Sequence, residues 1–334
     1  MSLLSEKTLT TWGSRPYWTN VIAIARTLLA AGTLITLLFN SSGILFKESI
    51  LSDQQILCNS MNQFGIWCML STNLELARWI SIVVLLWVAS GWFPRYSAIL
   101  HWWIAFSYSS SATMVDGGDQ ITTILAFFLI PVCLLDKRKN HWHAPQPGYT
   151  GTAGMMGGLL VTLTYWIVRL QVAIIYFEAS IGKMFVEDWI NGTALYYWFT
   201  HPTFGADGWL RDMIITVFSN GTVVAFATWG VILFEVLLFM ALFLDVKKRK
   251  YFLITGILFH FGIIAVHGLM SFFCAMCAAL VLYLQPWHVP VQVAVPHWLR
   301  RFNPGRKLRF GFLFSGAQAG KSEAMLRTEE ELAE

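Results

Sequence analysis

Charge is what this chain is short of. Only 13% of its 334 residues are Asp, Glu, Lys or Arg, while 56% are hydrophobic, and its mean hydropathy is +0.57. Soluble domains carry about a quarter charged residues, so an ordinary soluble fold is excluded. Several catalytic signatures are also missing: no Gly-rich phosphate loop, no G-x-S-x-G elbow, no H-E-x-x-H and no zinc-type cysteine array. Their absence removes the motif-borne routes to phosphate binding, serine hydrolysis and metal chemistry, and no residue pattern names a cofactor. There is no internal repeat and no second folded domain. The formal charge of +4 is no nucleic-acid footprint, because the basic residues cluster in short loops.

What is present is apolar and aromatic. Sixteen Trp and twenty-five Phe suit a chain with long contacts at membrane interfaces. A span needs about twenty apolar residues. Stretches of that kind run Val21–Phe39, Leu74–Phe93, Ser97–Met114, Ile121–Leu135, Met155–Gly182, Thr222–Leu244, Tyr251–His267 and Met270–Leu284. The expectation is an all-α, polytopic transmembrane helical bundle of about eight spans. The first apolar run continues for a full span, so it reads as an anchor and not as a cleaved signal. Lys and Arg gather at Lys7, Arg15, Arg95, Lys137–Lys139, Lys247–Lys250 and the tail, against Lys47, Lys183 and Arg211 on the other side. By the positive-inside rule both termini are cytoplasmic. Residues 1–20 then form a cytoplasmic N-terminus, 21–284 the membrane domain, and 285–334 a cytoplasmic tail that is basic and then acidic.

The stretch from Tyr165 to His201 carries the densest chemistry. Arg169, Gln171, Glu178 and Lys183 sit in or at the end of an apolar helix, and ionisable groups survive in hydrocarbon only when paired, wetted or used. Steps of about 100° put Tyr165, Arg169, Val172, Tyr176 and Lys183 on one stripe, with Gln171 and Glu178 elsewhere. Arg169 reads as a site residue or as half of an ion pair with Glu178, Glu235 or another helix. Lys183, next to Glu187, Asp188 and Trp189, reads as a desolvated base or as a helix-end cation favoured by the macrodipole. Arg26 either snorkels from the first span or takes a buried partner. His260 and His267, seven apart on one span, suit proton carriage or polar contacts between helices. Asp116-Gly117-Gly118-Asp119 reads as a chain-reversing turn.

The five cysteines divide by position. Cys58 and Cys68 lie in one loop on the side where oxidation is permitted, and a disulfide there would close it. Cys274 and Cys277 form a C-x-x-C within the last span, read either as packing residues or as a redox pair exchanging with the loop pair. Cys133 reads as buried.

Four segments taken in order carry a family resemblance. YFEASIGKMFVEDWINGTALYYWF resembles the signature helix of the HTTM superfamily, which includes the vitamin K-dependent γ-carboxylase, and HFGIIAVHGLMSFFCAMCAALVLYLQP resembles that superfamily's closing helices. PYWTNVIAIARTLLAAGTLITLLFN and DGGDQITTILAFFLIPVCLLDKRKNHWH are similar to the SdpB branch, part of a sporulation-delaying toxin system. The likeness covers most of residues 16–288. It implies a bacterial inner-membrane protein that matures a secreted, bacteriocin-like antimicrobial peptide precursor at the outer face with a small SdpA-like partner. A non-catalytic recruiting or immunity subunit is a further option. The carboxylase cousins imply a lysine base on this helix; Lys183 aligns with the first of their two adjacent lysines and Met184 stands at the second. The resemblance thus implies a peptide cavity lined by Arg169, Glu178 and Lys183 as catalytic candidates, with Tyr176, Trp189, His260, His267 and Arg26 around them.

Overall fold

A computed structural model describes residues 6–46, 58, 60–144 and 152–291. The tail beyond 291, and with it the basic-then-acidic reading, lies outside the described residues. Twelve helices matter here: α1 (Glu6–Gly13), α2 (Asn20–Phe39), α3 (Leu74–Ser90), α4 (Pro94–Ser111), α5 (Gly117–Leu135), α6 (Thr152–Lys183), α7 (Glu187–Ile190), α8 (Ala194–Thr200), α9 (Gly208–Phe218), α10 (Gly221–Met240), α11 (Val246–His267) and α12 (Met270–Leu284). Each apolar stretch expected to span coincides with one helix. Five of them (α2, α5, α6, α10 and α11) are long and apolar enough to cross a membrane. The chain is a polytopic helical membrane protein.

Local chemistry starts and stops these helices. Thr19 and Asn73 accept backbone N–H groups at the starts of α2 and α3, and Asp116 and Asp119 form a reciprocal capping box on α5. The acidic turn is therefore a helix cap. Gly91 ends α3 with φ +85°, a left-handed conformation natural to glycine. A Cβ there would also collide with the His141 ring. At Gly158, early in α6, a Cβ would collide with the Gly13 carbonyl, so α1 lies directly on the α6 backbone. That short N-terminal helix was not expected from the sequence.

The core is built on α12. Every residue from Cys274 to Leu284 is buried, and the helix is enclosed by α2, α5, α6 and α11. A second cluster joins the far half of α2 to α3, α4 and the loop holding Ile66 and Trp67. In that loop Cys58 and Cys68 form a disulfide. By contrast, α10 packs along α6 and α11 along α12; α10 and α11 meet each other at the Phe234–Phe259 ring pair, 5.2 Å between centroids.

Candidate functional site

The inward stripe of α6 is realised as the periodicity requires. Tyr165, Arg169, Val172 and Tyr176 are all buried, while Glu178 is exposed. The helix ends at Lys183, where the Val186 N–H donates to the Lys183 carbonyl and turns the chain into α7.

Lys183 is the centre of the arrangement. Its ammonium donates to Glu235 Oε1 at 2.7 Å, to Oε2 at 2.8 Å and to the Ala179 carbonyl at 3.1 Å. An ammonium has three N–H donors, and all three are used. Nζ also lies 5.1 Å from the centroid of the Trp189 ring. The two side chains are 21% and 8% exposed, so the pair is largely withdrawn from solvent. Removing one partner from such a pair strands the other charge, at a cost of about 3–5 kcal/mol. Glu235 entered the sequence reading only as one partner option for Arg169. Its signal was there: a single carboxylate inside the apolar run of α10, which needs a cation at the same depth.

About two turns before Lys183 on the same helix, the Tyr176 hydroxyl shares a hydrogen bond of 3.0 Å with Nε2 of His260 on α11. His260 is 3% exposed and its Nδ1 has no hydrogen-bond partner among the described residues. Phe259 and Phe272 flank the ring at centroid distances of 5.0 and 5.6 Å. Helix α6 thus carries a charged pair at its end and, about two turns earlier, a hydroxyl–imidazole pair that leaves one ring nitrogen unused. Its chemical capacity is proton exchange and hydrogen bonding within an aromatic wall.

The remaining predicted residues fall into separate places. Arg169 donates through Nε to the Tyr283 carbonyl and through Nη2 to the Leu242 carbonyl, each at 3.1 Å. Those carbonyls lie in the last turn of α12 and in the short turn Ala241–Phe243 that continues α10, where helix dipoles present negative ends. The guanidinium also sits 4.7 Å from the Trp166 ring centroid. No carboxylate is needed; Arg169 fastens two helix ends. Arg26 is 1% exposed and bonds His141 Nδ1 at 3.1 Å and Ser97 Oγ at 2.9 Å, the buried alternative of its two readings. Burial, then the positive charges of Arg26 and Arg138, push the His141 pKa down to about 2. The ring is neutral and Nδ1 accepts from the guanidinium.

His141 belongs to a strap across the turn between α3 and α4. The Phe93 N–H donates to Lys139 O and the His141 N–H to Gly91 O, while Arg138 is buried against Asp136 and the His143 carbonyl. The basic run read purely as a topology signal therefore contains an internal arginine. His267, at the end of α11, donates Nδ1 to the Phe204 carbonyl at 2.7 Å and touches the rings of Trp198 and Phe199. It ties the α7–α9 segment to α11, a different task from that of His260. Cys274, Cys277 and Cys133 are free and buried. Among the described residues no three His, Cys, Asp or Glu side chains gather as metal ligands.

Comparison with known proteins places this geometry. The HTTM domain model matches residues 159–287, the interval that contains Arg169, Tyr176, Lys183, Glu235 and His260. Sporulation-delaying protein SdpB of Bacillus subtilis (strain 168) is 35% identical over 272 residues, covering 80% of this chain and 82% of that protein. The chain belongs to the SdpB family of HTTM-domain proteins. A second Bacillus subtilis (strain 168) protein, the uncharacterized YitO, is 33% identical over 310 residues, 92% of this chain and 97% of its own length. No solved structure matches. Within this SdpB-type chain, the HTTM interval coincides with the buried ion pair and the hydroxyl–imidazole pair, whereas the disulfide loop and the His141 strap lie before it.

Proposed function

We propose that this protein is a membrane factor for maturation of a secreted toxin peptide, and that the Lys183–Glu235 pair is where the precursor is engaged. The observation that carries the reading is a fully bonded ammonium–carboxylate pair at a helix end, against the Trp189 ring, with Tyr176 and its His260 partner about two turns back along the same helix. A peptide group entering there would displace one of the Lys183 bonds, take a proton or hydrogen bond from its ammonium and return one to Glu235, with Tyr176 and His260 orienting it. Arg169 acts as a positioning residue, because its donors hold helix ends. The small SdpA-like partner joins at the outer face, in the orientation with both termini cytoplasmic. The likeness to the SdpB family supports the partner, and the distribution of Lys and Arg supports the orientation.

The test is the intact mass of the peptide secreted by cells that make the precursor and partner, with and without this chain. Loss of the mature peptide without the chain, and in a well-inserted Lys183→Ala variant, supports the reading; normal peptide from Lys183→Ala contradicts the site. One observation favours a second reading: the loop pair Cys58–Cys68 is oxidised while Cys274 and Cys277 are thiols. Exchange would pass the disulfide to Cys274–Cys277 or to a substrate dithiol, returning two thiols in its place. A change of two hydrogens in peptide mass, lost when these four cysteines become Ser, would favour it.

A further inference from the structure

The outward side of α6 carries a second pattern. Leu163, Ile167, Leu170, Ile174 and Phe177 are each 39–57% exposed and alternate at spacings of four and three residues. Every Ile falls on one heptad position and the Leu and Phe residues on the other, the layout of a helix-pairing seam. Gln171 and the exposed Glu178 flank it at equivalent positions, seven residues apart.

Glu178 faces outward, at a level that its neighbours fix. Its neighbour Phe177 meets the Phe239 ring of α10 in a tilted arrangement, 5.1 Å between centroids. The end of α6 itself meets Glu235, the fifteenth residue of the twenty in α10 (235 − 221 + 1). At about 1.5 Å per residue that end is about 20 Å below the start of α10. Lipid chains suit the Ile, Leu and Phe side chains, but offer no donor to a carboxylate at that depth, where exposure costs several kcal/mol.

We infer that this seam is the docking surface for a transmembrane helix of another protein, one with an apolar heptad stripe and a Lys, Arg or His level with Glu178. A second copy of this chain fits less well, because a parallel pairing brings two Glu178 carboxylates to the same seam. The inference stands apart from the Lys183–Glu235 site, which faces inward, and its outcome is read in binding and not in peptide maturation.

The test uses the full chain in phosphatidylcholine vesicles with a fluorescent donor. Two synthetic single-span Leu–Ala helices serve as acceptors, one with a single Lys at the depth of Glu178 and one without. The Lys helix should bind about tenfold tighter, the worth of one interhelical polar contact. Glu178→Gln should erase that preference, and Glu187→Gln, an exposed carboxylate beyond the helix end, should preserve it. Equal binding of both helices overturns the inference, as does a preference that survives Glu178→Gln. Self-association that depends on Ile174 and displaces the Lys helix also overturns it, by giving the seam to a second copy.

Discussion

Helices α11 and α12 follow each other with only Gly268 and Leu269 between them, yet they occupy opposite environments. Every residue of α12 from Cys274 onward is buried, while only 11% of the most apolar stretch of α11 is. Hydropathy cannot separate them, since lipid and protein interior are both apolar. Side-chain size and polarity can. The buried run of α12 is rich in small residues, Cys274-Ala275-Met276-Cys277-Ala278-Ala279, which let four neighbours approach. On α11 the buried residues are Gly256 and His260, one admitting Leu280 of α12 and the other bonding Tyr176. Its large side chains, such as Ile254, Leu258 and Phe261, face outward. Small and polar residues mark the closest contacts of these two helices, beside large buried residues such as Leu280, Leu282 and Tyr283.

The sharpest way to break that comparison is at the Lys183–Glu235 pair, which joins α10 on the lightly buried side to α6. Glu235→Ala should cost about 3–5 kcal/mol, since it leaves Lys183 without its carboxylate; chemical denaturation in detergent measures it. Next, Leu282→Ala in α12 should cost about 2–5 kcal/mol by opening a cavity in a closed core. A third test uses pH. The His141 pKa is depressed from 6.5 to about 2 in the folded protein. Its contribution is thus complete above the unfolded value and is lost as pH falls through that window, at about 1.4 kcal/mol per unit. His141→Asn should flatten the wild-type slope below neutrality in a thermal-shift series. Smallest of all, Leu258→Ala on α11 should change stability by no more than about 0.5 kcal/mol. A loss there comparable to that of Leu282→Ala would show that α11 is covered by protein.

The positions of the eight long helices were legible because each needs a long apolar run, and runs are visible without partners. The ends were less so: Lys247–Lys250, read as a loop, begin α11, because basic residues are good helix formers. The inward stripe of α6 was legible from one helix's periodicity. Which helix it faces was not, so Lys183 lacked its Glu235 and Arg169 its two carbonyls. The strap through His141 was hidden for a related reason, since its backbone bonds to Gly91 and Phe93 and its side-chain bond to Arg26 reach far in sequence, although Arg138 closes locally on Asp136 and the His143 carbonyl.

The central claim is that the Lys183–Glu235 pair serves the peptide and not only the fold. Replacing both with Met removes the charges together and keeps an apolar filling, a change that buried pairs often tolerate without loss of stability. The deciding measurement is the intact mass of the secreted peptide from cells carrying that double variant at normal membrane levels. The account predicts a stable, inserted protein and no mature peptide. Mature peptide of normal mass and amount would contradict it and leave the pair a structural fastening.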